Sequence, residues 1–510
     1  MKMSLLKLRD YQERAMTLMR KAARDGKKKI MLFMATGGGK GVIYLHLVRN
    51  SLKNKKKVLL IMRRRQLVLQ TQRRFTESGI TSSIIMASEK GFDPECDFQV
   101  CSIDTISRRD PEFFKKFNFV IVDEAHDCTS PTYQNFFKTF NDNTIFIGLT
   151  ATPFPNGNKT HDFWEACVKP IEMDELKNLG YLVPCALYVP HEIDLSSVSI
   201  NKTTKDYDSK ELGEKMSKLE VIGNIVDDYL KIGQGKPAIC FCVNKDHSMT
   251  LCLEFNNRGI PSAHADESTP QKERDQIISD FRQGKIKVIF NINIFSTGVD
   301  IPEIEVAIMA RPTRSEILWV QQVGRAFRPY RKCGKCHSQY DNSPSCPKCG
   351  WDKPSYIKTE AIIIDSGNNC SRLGHPFDVR YPSMKKSELK SREITKSLTK
   401  ICKFCAYTYD ARIAKCPKCD GAMDLPKELF TTKKGEIVPY DEFSAISNHF
   451  NSLRTAEIVK NWKPNSKYFK LYEKFGDRCM VFEKEFNIPR WVPTVVKKNK
   501  EKELKGKLYV

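Results

Sequence analysis

The chain has 510 residues, more than one hydrophobic core usually holds, so two to four domains are expected. With 40% apolar residues, wholesale disorder is excluded, and no run approaches the ~18–20 apolar residues of a transmembrane helix. Lys and Arg number 84 against 61 Asp and Glu; the net charge is +8 over residues 1–330 (48 basic, 40 acidic) and +15 over 331–510 (36 basic, 21 acidic), an excess that points to nucleic acid or a lipid surface.

Arg9, Asp10, Glu13 and Arg14 come too early for a signal peptide, so a soluble, cytoplasmic chain without a membrane is expected. Short apolar runs then alternate with amphipathic stretches. Ile30–Met34, Val58–Met62, Gln99–Ile103, Phe119–Val122 and Thr144–Gly148 read as buried strands, with helical patterns at Gly41–Leu52 and Gln66–Glu77. A second set follows at Pro237–Val243, Lys287–Ile294, Glu305–Ala310 and Ala361–Asp365. This alternation predicts an α/β fold of two parallel-sheet lobes. The expected division is a first lobe at 1–190, a linker at 191–220, a second lobe at 221–375 and a basic region at 376–510 of mainly helical character.

The run Ile30–Met34 leads into Ala35-Thr36-Gly37-Gly38-Gly39-Lys40-Gly41 and then a helical pattern. Glycines there let backbone N–H groups turn toward an anion at a helix N-terminus, and Lys40 can reach phosphates as a point charge. Phe119–Val122 delivers Asp123 and Glu124 to a strand end, followed by Ala125-His126. That pair suits a magnesium nucleotide: Asp123 on the ion, Glu124 on the attacking water.

With these residues the chain resembles the superfamily 2 helicases and translocases of the DEAH-box type, over residues 8–330 and the strand Ala361–Asp365. The resemblance implies two RecA-like lobes with ATP between them. Leu8-Arg9-Asp10-Tyr11-Gln12 is similar to the adenine-reading motif, with Gln12 on the base and Arg9 beside it. Thr150-Ala151-Thr152-Pro153 resembles the motif that couples hydrolysis to lobe movement, and Asn293–Pro302, with Thr297, Gly298 and Asp300, resembles the fifth motif. In Gln321-Gln322-Val323-Gly324-Arg325-Ala326-Phe327-Arg328, Gln321 would sense the water, with Arg325 and Arg328 on the γ-phosphate. One position departs: the family has Thr or Ser after the lysine, and Gly41 stands here. Either a water replaces that ligand or metal binding is weakened, and a slow or high-magnesium ATPase rather than none is the expectation.

Arg63 and Arg64 after Val58–Met62, Thr105, and Asn244 with Lys245 fall where the family grips a strand backbone. Cations and hydroxyls on phosphates give grip without sequence preference.

Eighteen cysteines in an intracellular chain need a reason other than disulfides. Cys333 and Cys336 are followed by Cys346 and Cys349, and Cys402 and Cys405 by Cys416 and Cys419. Each set offers four thiolates from two tight turns, as a structural tetrahedral zinc requires, so two zinc ions are expected, in ribbons at 331–352 and 400–421. A motor with a cysteine-rich C-terminal region is similar to the RadD-like bacterial and phage branch of the superfamily. That resemblance implies a DNA helicase or translocase on forked or branched DNA in replication, recombination or repair. A monomer is expected, with a single-strand-binding protein or replication proteins as candidate partners. An RNA helicase, and a zinc-ribbon binding protein with a degenerate motor, stay open as alternatives.

Overall fold

A computed structural model describes residues 7–87, 91–152, 163–191, 193–202, 204–292, 294, 301–340, 343–378, 399–411, 413 and 415–421. The expectations for Pro153, Thr297, Gly298, Asp300 and the basic and aromatic stretches of 379–398 and 422–510 fall outside them.

The first sheet has seven strands: β1 (Lys29–Phe33), β2 (Val58–Met62), β3 (Ser83–Ile85), β4 (Phe98–Ser102), β5 (Phe119–Asp123), β6 (Ile145–Thr150) and β7 (Ala166–Val168). All pair in parallel, in the order β3-β4-β2-β5-β6-β1-β7. β2 and β4 are buried at every residue, as strands covered on both faces must be. The helices α1 (Asp10–Arg24), α2 (Lys40–Lys53) and α3 (Arg65–Glu77) belong to this lobe. One side of its core is aromatic, with Phe114, Phe136, Phe140 and Phe146 packed edge to face.

β8 (Cys185–Tyr188), β9 (Ala238–Phe241), β10 (Ser262–Ala265), β11 (Val288–Asn291) and β12 (Val306–Met309) belong to the second lobe. Between β12 and its neighbour the chain makes a small antiparallel sheet of β13 (Arg331–Cys333), β14 (Gln339–Tyr340) and β15 (Pro354–Ile357), then returns as β16 (Ala361–Ile364). The second sheet is parallel, in the order β10-β11-β9-β12-β16-β8. β8 thus joins the second sheet along its β16 edge, so the crossover between lobes begins before residue 190. Asp206, in the predicted linker, accepts from Thr313 Oγ1 and Arg314 N at 2.7 Å each and so fastens the linker to the turn after β12. A two-stranded sheet pairs β17 (Thr399–Ile401) with β18 (Thr408–Asp410).

Candidate nucleotide site and metal centres

β1 and β5 are parallel strands of one sheet, so their carboxyl ends lie on the same edge, where α/β sheets bind ligands. The turn after β1 carries Gly37 and Gly39 at φ +84° and +81°, in the left-handed region where a side chain is strained. A Cβ on Gly39 would also stand 2.5 Å from Gln12 Nε2. α1 braces this turn: Tyr11 Oη donates to the Gly38 carbonyl at 3.0 Å, and Gln12 Nε2 to the carbonyls of Gly38 (3.2 Å) and Gly39 (3.4 Å). Gln12 Oε1 accepts from Arg9 N at 3.0 Å, so backbone groups engage both ends of its carboxamide. The wall at that end of the cleft is Arg9, whose guanidinium lies 4.1 Å over the Tyr181 ring.

A cleft of about 410 Å³ holds Thr36, Gly37, Gly39, Lys40, Gly41, Asp123 and Glu124 from the first lobe with Gln321, Arg325 and Arg328 from the second. Lys40 Nζ is 3.8 Å from Glu124 Oε1. Burial and the neighbouring Glu124 push the Asp123 carboxyl above its ordinary range. Burial opposes ionisation of Glu124 as well, but Lys40, His126, Arg325 and Arg64 outweigh it and hold that carboxyl below its usual range. The two carboxyls are thus pushed in opposite directions, Glu124 toward the ionised form and Asp123 away from it. Gln321 Nε2 donates to Glu124 Oε2 at 3.5 Å. Burial lowers Arg325 and Arg328 to about 10 each; Glu124 counteracts this at Arg325, and Arg74 adds to it at Arg328.

Motif-to-motif contacts are direct. His126 Nδ1 lies 3.4 Å from Glu124 Oε2, 3.0 Å from Thr150 Oγ1 and 3.4 Å from Thr152 Oγ1. Thr152 N donates back to Thr150 Oγ1 at 3.0 Å.

Magnesium would accompany a nucleotide here. The residues present fit it with a single carboxylate, Asp123, because Gly41 supplies no hydroxyl. Tyr44, one turn along α2, donates its hydroxyl to Asp123 Oδ1 and orients that carboxylate.

The candidate strand contacts follow the carboxyl ends of β2, β4 and β9. Arg63 pairs with Asp127 at 3.0 Å. Arg64 turns into the space between the lobes with Glu124, His126 and Gln321. Thr105 Oγ1 accepts from Ala87 N at 3.2 Å. Asn244 Oδ1 caps the helix Lys245–Asn257 through His247 N at 2.9 Å, and Lys245 lies 3.3 Å from Asp266.

Both cysteine sets converge, each with its four Sγ atoms within 4.8 Å of one another. Sγ–Sγ distances of 3.5 Å (Cys333–Cys349), 3.6 Å (Cys336–Cys346) and 3.7 Å (Cys402–Cys419) match the ~3.8 Å edge of a tetrahedron with ~2.3 Å zinc–sulfur bonds. Cys333 Sγ also accepts from the N–H groups of Lys335 and Cys336 at 3.4 and 3.5 Å. Four cysteines close each site, so zinc would brace the ribbons rather than react.

Arg74 and Tyr44 line the same cleft and escaped the motif reading. The signal was available: Leu67, Gln70, Thr71 and Arg74 share one face of α3 at helical spacing.

Residues 5–155 match the family described as "Type III restriction enzyme, res subunit", and residues 217–330 match "Helicase conserved C-terminal domain". Both lobes are thus matched by family models, and these matches together with the helicase relatives support a superfamily 2 helicase. A 51.5 kDa protein of a Lactococcus phage is 28% identical over 299 residues, covering 58% of this chain and 62% of that relative. "Putative ATP-dependent helicase IRC3" of Saccharomyces cerevisiae is 31% identical over 354 residues, covering 65% of this chain and 50% of the relative. "DNA 3'-5' translocase XPB2" of Sulfurisphaera tokodaii is 25% identical over 360 residues, covering 63% and 79%. The chain therefore spans less than two-thirds of the first two relatives' length.

Proposed function

We propose that the protein is an ATP-dependent DNA helicase or translocase of the RadD-like kind, acting on forked or branched DNA in replication, recombination or repair. The observation that carries the reading is the single cleft in which Lys40, Asp123 and Glu124 of one lobe meet Gln321, Arg325 and Arg328 of the other. Lys40 binds the phosphates and Asp123 would hold their magnesium, which supplies further neutralisation of phosphate charge. Glu124, held ionised by its cations, orients the attacking water and takes its proton. Gln321 helps place that water, and Arg325 and Arg328 stabilise the charge that develops on the transferred phosphoryl group. Because those arginines belong to the second lobe, the site is complete only when the lobes approach, so each ATP cycle can move one lobe along a strand.

DNA is favoured over RNA by the name of the Sulfurisphaera relative, a DNA 3'-5' translocase. Arg63, Thr105, Asn244 and Lys245 are assigned to the strand backbone, with the zinc ribbons and the +15 charge of residues 331–510 on the branch. Glu124→Gln should bind ATP and DNA while its DNA-stimulated turnover falls by at least ~100-fold, the scale of a general base. Near-normal turnover in that variant would remove Glu124 from the role. ATPase assays with single-stranded DNA, RNA, blunt duplex, fork and four-way junction test the substrate; equal stimulation by RNA, or no preference for branches, would overturn that part.

A further inference from the structure

Gly41 is more than a missing hydroxyl. A Cβ built on it would stand 2.7 Å from Arg74 Nη1, closer than a side-chain carbon tolerates, so the guanidinium occupies the place where a residue-41 side chain would begin. Arg74 reaches that place from the α3 face that walls the cleft.

The surroundings are themselves positive. Gly41 is the second residue of the 14-residue α2, at the positive end of the helix. Lys40 is adjacent, and Arg328 is near enough to feel the charge of Arg74. Among the described residues Arg74 makes no ion pair and no side-chain hydrogen bond. Arg74 is exposed and so screened by water as it stands, but three cations and a helix N-terminus on one side of a cleft together favour a polyanion. The acids of the cleft, Asp123 and Glu124, are already shared with Tyr44, Lys40, His126 and Gln321.

We propose that Gly41 and Arg74 are a matched pair, in which the glycine admits the guanidinium and Arg74 binds the phosphate tail of the nucleotide directly. The inference rests on the ATP-site reading above and deepens it. A fixed protein cation then carries part of the phosphate charge, so nucleotide affinity depends less on divalent metal than a site relying on the ion alone.

The test is titration of the full-length protein with fluorescent ATP and AMP, in EDTA and in excess magnesium. Arg74→Ala should weaken ATP binding about tenfold in EDTA, the value of one charge-assisted contact, less in magnesium, and leave AMP unchanged. Arg74→Lys should recover part of the loss. Gly41→Ser should displace the guanidinium and reproduce the EDTA defect, and the double variant should be no worse than either single one. Lys40→Ala should lose ATP in both buffers and serves as the control for the site itself. If ATP binds, Lys40→Ala abolishes it, and Arg74→Ala stays within about twofold of the parent in EDTA, the Arg74 assignment is overturned and the ATP site stands. If the parent binds no ATP in either buffer, both fall.

Discussion

Lys358 ties the chain leaving the first zinc ribbon to the arginines of the nucleotide cleft. It follows β15 and is buried, and its Nζ donates to the carbonyls of Ala326 (2.6 Å), Pro302 (3.4 Å) and Ile304. Its backbone N–H donates to the Tyr330 carbonyl at 3.0 Å, at the start of the ribbon. Ala326 sits between Arg325 and Arg328, so this one amine fixes the stretch that carries both. Lys358→Met preserves most of the volume and removes the donor. The carbonyls left without it cost ~1–3 kcal/mol each, and relief of a buried charge offsets part of that. A net loss of ~1–3 kcal/mol is expected, read as a lower urea midpoint by tryptophan fluorescence, for which the fully buried Trp319 is a reporter in the same lobe. DNA-stimulated ATPase should fall with it, because the arginine loop loosens. The pH dependence has a definite sign. Burial pulls Lys358 from its ordinary 10.5 to about 7. Between these values the unfolded chain holds a proton that the folded chain lacks, so folding stability rises with pH. The parent's advantage over Lys358→Met should therefore widen from pH 7 to pH 9. An unchanged midpoint with unchanged ATPase, or an advantage that narrows over that range, would refute the clasp.

Metal analysis should find two zinc ions per chain, and because Cys349 and Cys419 are exposed, a strong chelator should remove both without denaturant. A content near zero in protein purified without chelators would sink the zinc assignment. Asp365 gives a second pH signature: burial raises its carboxyl to about 6, against the lowering effect of the Cys370 and Asn369 backbone N–H groups. The folded state then holds a proton between pH ~4 and 6 that the unfolded state has lost, so this residue makes stability fall as pH rises through that window. Asp365→Asn should flatten the urea midpoint between pH 4.5 and 6; a slope identical to the parent's would refute the assignment.

What the sequence made legible follows strand position. The nine strands recognisable as apolar runs are β1, β2, β4, β5, β6, β9, β11, β12 and β16, and each has a neighbour on both sides. The four that were not recognisable among the two large sheets, β3, β7, β8 and β10, are their edges. Edge strands need less apolar character: β7 and β10 are largely half-buried, and β10 reads Ser-Ala-His-Ala. Their place is set by the pairing partner, which no local pattern encodes. The same division holds in the cleft. Lys40, Asp123, Glu124, Gln321, Arg325 and Arg328 could be read because their chemistry lies in contiguous motifs at a helix start, a strand end and a helix end. Arg74 and Tyr44 lie inside helices, and their place in the cleft comes from which helix face lines it. Gln12 was legible as a member of the site, while the contacts of its carboxamide with Gly38 and Gly39 required the three-dimensional path of α1.

Glu124 is the point at which these parts act on one another. Its backbone sits at φ +51°, ψ +55°, a left-handed conformation that costs a non-glycine residue of order ~1–2 kcal/mol. The turn is held by Asp127 N donating to the Glu124 carbonyl at 2.9 Å, and Asp127 in turn pairs with Arg63 at the end of β2. From that strained position one carboxylate faces Lys40 of the P-loop, His126 of its own turn and Gln321 of the second lobe. A proton taken up by Glu124 weakens all three attractions together. His126 passes that change to Thr150 and Thr152 at the end of β6, while Gln321 passes it to the helix that precedes Arg325. Under the proposed function, hydrolysis chemistry and the hold between the lobes would be coupled through this one side chain, and a neutral residue at 124 should uncouple lobe movement from nucleotide as well as stop turnover.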